Sequence, residues 1–219
     1  MRIYIKTTPN KEIVPYNYQQ KLVGTFHKWL GWNELHDDLS LYSLSWLSAG
    51  NSRRGKGLDF PQGTSFFISA PGSGLAKQVI EGLYQDGELF CGMRVKEVIL
   101  RTPPEFSDRA YFYVQSPILI KRRVEDGTKF YFPKDEEADY LMSETLRHKM
   151  RVGGLEDLDL RLRFDRDYAK GKTKVATYRG IENKGSLHPV IAEGDPRALA
   201  FCWETGLGNC TGIGFGAIK

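Results

Sequence analysis

Within 219 residues the hydrophobic pattern runs strand, helix, strand, strand, helix, strand and then loosely repeats that order, and few architectures accommodate it. Residues 2–7 alternate as a strand should. A helix is expected from Tyr16 to Leu30, opened by Pro15. Strands are expected over 41–48 and 65–70, a helix over 74–85 closed by Gly87, and a long strand from Glu88 to Leu100. "RTPPEFSD" then breaks the pattern as a linker. The second half predicts a strand over 111–121. A helix over 135–150 follows, opened by acidic "KDEEADY" as the helix dipole favours. "LDLRLRF" alternates strictly, and strands near 173–180 and 186–192 follow. "GDPRALAFCWETG" is a complete helix signal, with Asp195 as N-cap, Pro196 at the first position and Gly206 past the end. A short strand at 214–218 closes the chain.

This β-α-β-β-α-β order is the ferredoxin-like, or RRM-like, order. The fold class expected is therefore α+β. It comprises two tandem ferredoxin-like domains, 1–105 and 110–219, each an antiparallel sheet with helices on one face. The halves share no residue-level repeat, so the duplication rests on element order alone.

Composition sets the class of protein. Hydrophobic residues make up 41% and charged residues 26%, which fits a globular chain. No apolar run approaches a membrane span, and the N-terminus enters a strand with no signal-peptide core, so a cytoplasmic location is expected. Cys91, Cys202 and Cys210 are odd in number and lack zinc-ligand spacing, so no disulfide framework or metal site is expected. The net charge of +4 is unevenly spread. Arg163 to Lys184 holds seven basic residues against three acidic, including Lys170, Lys172 and Lys174. "RRGK", with Arg53 and Arg54, and "KRR", with Lys121 and Arg122, add smaller clusters. Such clusters suit a polyanion such as nucleic acid; each alone also fits a solvated face.

The C-terminal "GLGNCTGIGFGAIK" concentrates Gly206, Gly208, Gly212, Gly214 and Gly216. Nucleotide-binding loops place glycines after a strand and before a helix. Here they follow the last helix, no helix comes after them, and no Gly-Lys-Ser/Thr is present. A nucleotide cofactor is not expected. A glycine-rich loop that offers backbone N–H groups to phosphate, or a plain set of turns, remains.

This ending resembles that of the Cas6 family, the CRISPR RNA-processing endoribonucleases. "VPYNYQQKLVGTFHKWL" is similar to the family's first helix, and "SPILIKR" to the start of its second ferredoxin-like domain. The resemblance implies a glycine loop against bound RNA, with Gly206, Gly208, Gly212 and Gly214 in contact. It implies metal-independent cleavage of CRISPR repeat RNA by 2′-hydroxyl attack, without cofactor. The products would be a 2′,3′-cyclic phosphate and a 5′-hydroxyl.

Such cleavage needs a base, an acid and a cation near the reacting phosphate. The histidines are His27, His36, His148 and His188. His27 falls about 110° from the centre of the first helix's apolar stripe, at its edge. His36 follows in "NELHDDL". By the resemblance, His27 stands where well-studied members carry tyrosine, and Leu35-His36 matches their "Leu-His". The lysine that follows in some members is missing. Lys28, Lys21 or a basic loop residue would supply charge, or His27 and His36 would act as an acid–base pair. His148 reads as a surface residue and His188 as structural. Two alternatives stand beside this reading: a catalytically inactive repeat-RNA-binding subunit on the same fold, and, more weakly, a metal nuclease using His36-Asp37-Asp38. Expected partners are repeat RNA and other CRISPR effector subunits, with no membrane, the chain being a monomer or homodimer.

Overall fold

The computed structural model describes residues 1–31, 39–48, 50–155 and 158–219. The first half contains β1 (Arg2–Thr7), α1 (Gln19–Leu30), β2 (Ser43–Leu44), β3 (Asn51–Arg53), β4 (Gly57–Asp59), β5 (Ser65–Ser69), α2 (Gly74–Gln85) and β6 (Val95–Arg101). Its antiparallel sheet has the order β2-β5-β1-β6, the ferredoxin-like arrangement. Ile3 and Ile5 of β1 and Phe66 and Ile68 of β5 turn to one face of the sheet. There they bury against Leu22, Phe26 and Trp29 of α1 and Val79 of α2. Each such side chain contributes about 1.5–3 kcal/mol on burial.

The second half contains β7 (Arg109–Phe112), β8 (Ile120–Val124), β9 (Gly127–Tyr131), α3 (Glu137–Val152), β10 (Leu160–Phe164), β11 (Thr173–Tyr178), β12 (Ile181–Ser186), β13 (Val190–Gly194) and α4 (Pro196–Thr205). Its sheet runs β10-β13-β7. A single bridge, Val114 to Ile218, takes the place of a fourth strand. The result is a tandem ferredoxin-like fold with one apolar core in each half. No described helix is long and apolar enough to cross a membrane.

Several expected strands are shorter, for local reasons. The 111–121 stretch divides because Pro117 brings no N–H to a ladder; β8 pairs with β9 instead. Residues 88–94 form a turn in which Cys91 and Gly92 have φ of 55° and 71°, so β6 starts only at Val95. Arg179 and Gly180, with φ of 48° and 78°, turn β11 back into β12, so the expected strands near 173–180 and 186–192 become three. The 214–218 stretch is glycine-rich and keeps only its bridge. The β3–β4 and β8–β9 hairpins carry polar and charged sequences with little alternation to announce them.

Candidate nucleic-acid interface

The glycine loop starts where α4 ends. Asp195 caps the helix by accepting from the Arg197 N–H at 2.8 Å, and Pro196 opens it. Beyond α4 the backbone takes φ of 72° at Gly206, 74° at Gly208, 88° at Gly214 and 65° at Gly216, values that favour glycine. A short 3-10 turn, Thr211–Ile213, lies between.

These glycines are buried, and their size serves the protein's own packing. A Cβ at Gly208 would strike the Leu119 carbonyl, one at Gly212 the Ser40 and Tyr42 side chains, and one at Gly216 the Leu207 carbonyl. The Gly206 N–H donates to Cys202 O at 2.9 Å and the Gly216 N–H to Pro117 O at 2.9 Å. The expectation of bare backbone at Gly206, Gly208, Gly212 and Gly214 is therefore corrected: the loop packs inward and fixes the relation of the two halves.

It does so along a seam. Trp46 Nε1 donates to Gly214 O at 2.6 Å, Ser116 Oγ to Leu44 O at 3.3 Å, and Thr211 Oγ1 to Ser40 O at 3.3 Å. Leu119, Ala176 and Phe215 bury together beside Trp46. On the other side of the first sheet, the Arg2 guanidinium lies between the Phe67 and Trp203 rings, 3.9 and 3.6 Å from their centroids, and donates to Trp203 O at 2.6 Å. Burial lowers its pKa to about 10.

Helix α1 borders this seam. Both β11 and the 3-10 turn approach it. Phe26 packs on Tyr42 at 5.1 Å between ring centroids, and Tyr42 in turn faces Gly212. Burial pushes the Tyr42 hydroxyl up to about 12. His27 is half-buried and meets Phe26 edge-on at 5.1 Å. It projects about 160° around the helix from Trp29. Trp29 faces the α2 side, donating from Nε1 to Asp86 O at 2.8 Å. His27 thus occupies the flank of α1 away from α2. Lys28 does not join it. Its Nζ donates to Asp86 Oδ2 at 2.7 Å and Glu88 O at 2.6 Å, which ties α1 to the end of α2. His36, with Asp37 and Asp38, lies outside the described residues. His148 is exposed, and His188 is held by Ser186 Oγ at 2.9 Å from Nδ1.

The basic clusters separate by environment. Lys170, Lys172 and Lys174 are exposed and make no ion pair among the described residues. Lys174 shares a face of β11 with Ala176 and Tyr178, and Ala176 is buried in the seam. The exposed lysines thus begin where the seam ends, beside α1. Lys121 is half-buried at the same place, its Nζ 3.4 Å from Asn183 Oδ1. Arg122 is corrected: its guanidinium donates to Glu144 Oε2 at 2.7 Å, Leu141 O at 2.9 Å and Thr145 Oγ1 at 3.1 Å, which ties β8 to α3. Arg53 and Arg54 sit at the exposed β3–β4 turn, where Arg53 is paired with Asp59 at 2.6 Å.

One residue went unread in the sequence. Lys149 is fully buried under the loop, and its Nζ donates to Thr211 Oγ1 at 2.9 Å and Thr205 O at 3.4 Å. Its position on the same helical stripe as Met142, Leu146 and Met150 was the available signal.

Two ferredoxin-like units, locked along a seam that ends in exposed lysines beside a histidine-bearing helix, define a tandem-domain protein with a basic surface where its halves meet. Residues 101–219 match the family model for CRISPR associated protein Cas6, C-terminal, and the chain belongs to that family. It is 24% identical to CRISPR-associated endoribonuclease Cas6 1 of Methanocaldococcus jannaschii, over 100% of this chain and 92% of the relative. A solved structure from Pyrococcus furiosus, described as the characterization of a Cas6-related gene, superposes with a TM-score of 0.87 at 23% identity, covering 100% of this chain and 97% of that one. A second, described as an RAMP protein binding different RNA substrates, gives 0.86 at 20% identity, over 100% and 98%.

Proposed function

We infer that this chain is an endoribonuclease that cuts CRISPR repeat RNA without a metal cofactor. The observation that carries the reading is the junction at the seam, in a chain of the Cas6 family: the helix bearing His27 stands beside a hairpin whose lysines are exposed. The lysines attract and position the RNA backbone, a task that phosphate contacts perform without reading sequence. Attack by the RNA's own 2′-hydroxyl on the adjacent phosphorus forms the 2′,3′-cyclic phosphate and releases the 5′-oxygen. One histidine removes the 2′-hydroxyl proton and another protonates the leaving oxygen, with His27 and His36 in these roles. The exposed lysines, in place of Lys28, supply positive charge near the strained phosphate. The glycine loop shapes the surface by holding the halves together.

The test is cleavage of repeat RNA in excess chelator, on normal RNA and on RNA with a single 2′-deoxy substitution at the cut site. The normal substrate should be cut to a cyclic phosphate and a 5′-hydroxyl, and the deoxy substrate should bind and remain whole. Cleavage of the deoxy substrate, or loss of cleavage in chelator, would overturn the mechanism. Tight binding without cleavage of either would identify the chain as a repeat-RNA-holding subunit.

A further inference from the structure

The first sheet ends in a strand with an open edge. Among the described residues β6 pairs only with β1, and from Glu97 to Arg101 that pairing runs in unbroken register against Lys6 to Arg2. Natural proteins usually protect such an edge with a proline, a bulge or a covering element, since its free N–H and C=O groups invite another strand. The five residues Glu97 to Arg101 contain no proline. Val98 and Leu100 are 37% and 48% exposed, and beside them Tyr84 of α2 is 88% exposed. Together with Ile80, Leu83 and Val95 these three line an apolar recess of about 330 Å³. A long edge strand and an apolar recess therefore share one border of the molecule.

The sequence of this edge is complementary to itself. Consider two copies of β6 placed antiparallel about Ile99. Val98 of each copy then faces Leu100 of the other, and Glu97 of each faces Arg101 of the other. Directly opposite side chains in an antiparallel pair lie on the same face and interact. The apolar pair falls on the Tyr84 side, and the charged pair on the opposite side of the sheet. Both charges are near the surface: Glu97 lies 2.9 Å from Lys6 Nζ, and Arg101 stands 5.3 Å above the Tyr4 ring. Moving the centre by one residue, to Val98, would set Lys96 against Leu100 and Glu97 against Ile99, matching neither charge nor apolar surface.

We infer that the β6 edge, with its flanking Tyr84 recess, is a homodimer surface on which a second copy of this chain continues the sheet antiparallel about Ile99. The two four-stranded sheets then form one eight-stranded sheet. The recess of each copy is covered by Val98, Leu100 and Tyr84 of the other. The inference is independent of the RNA reading, because it draws on neither His27 nor the exposed lysines of the 170–174 segment.

Mass measured by sedimentation or light scattering on nucleic-acid-free protein, over a wide concentration range, tests it. Wild type should rise from monomer to dimer. Leu100→Lys should weaken association about 100-fold or more, as should Glu97→Arg and Arg101→Glu separately, since each sets like charges or a buried charge against the edge. The two reversals are individually repulsive and mutually attractive. An equimolar mixture of Glu97→Arg and Arg101→Glu proteins should therefore associate as wild type does, and this recovery also shows that both variants are folded. Three results would overturn the inference. These are a wild type that stays monomeric throughout, a dimer unaffected by all three substitutions, or singly reversed proteins that do not associate when mixed.

Discussion

Lys149 Nζ lies 2.9 Å from Thr211 Oγ1, and Thr211 Oγ1 donates in turn to Ser40 O at 3.3 Å. This short chain links the core of the second half, through the glycine loop, to the segment leading into β2. The amine has no carboxylate among its hydrogen-bond partners. Desolvation lowers its pKa to about 7 from an ordinary 10.5. Below the folded value it is charged both folded and unfolded, and the full burial cost is felt. Between about 7 and 10.5 the unfolded chain holds a proton that the folded chain has shed, so stability rises with pH. Denaturant melts from pH 6 to 10 should show wild type gaining on Lys149→Met as pH increases. Parallel curves would contradict this assignment.

The glycines of the loop should differ sharply in tolerance. Gly214 has φ of 88°, with Trp46 Nε1 3.7 Å from where a Cβ would sit. Gly214→Ala meets only the left-handed backbone penalty and should cost about 1–2 kcal/mol. Gly216→Ala adds a collision with the Leu207 carbonyl and should cost several kcal/mol, near the whole stability of a marginal domain. Urea unfolding of the two variants should rank them in that order.

Charge at the hairpin should act through salt dependence. Lys172→Ala with Lys174→Ala removes two exposed cations beside the seam. If each neutralises one phosphate of single-stranded RNA, the slope of log affinity against log salt should fall in magnitude by about 1.4. Arg122→Ala should leave that slope unchanged and lower the melting temperature, because Arg122 is engaged with Glu144, Leu141 and Thr145. The reverse pattern would exchange their roles.

The fold was largely legible because its signals are local. α2 spans Gly74–Gln85 as its apolar spacing implies, and α4 follows the Asp195, Pro196 and Gly206 signals closely. The ferredoxin-like order survives although several strands are shorter, since strand order depends on which stretches turn apolar faces inward and little on where each ends. The site was less legible, because tertiary contacts decide it. Lys28 and Arg122 look like free cations in one dimension, yet Asp86 is 58 residues and Glu144 22 residues away along the chain. The glycines suggested an open backbone, whereas close approach to Leu119, Ser40 and Leu207 explains them. Lys149 was passed over because a lysine between helical methionines usually reaches solvent, and here the loop closes over it.

The most direct measurement of the central claim is a single-turnover cleavage rate, set beside affinity, for His27→Ala, His36→Ala and the double variant. Each histidine acts mainly in the transition state, so each substitution should slow cleavage about 10²–10⁴-fold while repeat-RNA affinity stays near wild type. Full cleavage activity in the double variant, or a slowing accounted for entirely by weaker binding, would contradict the assignment of proton transfer to these two residues.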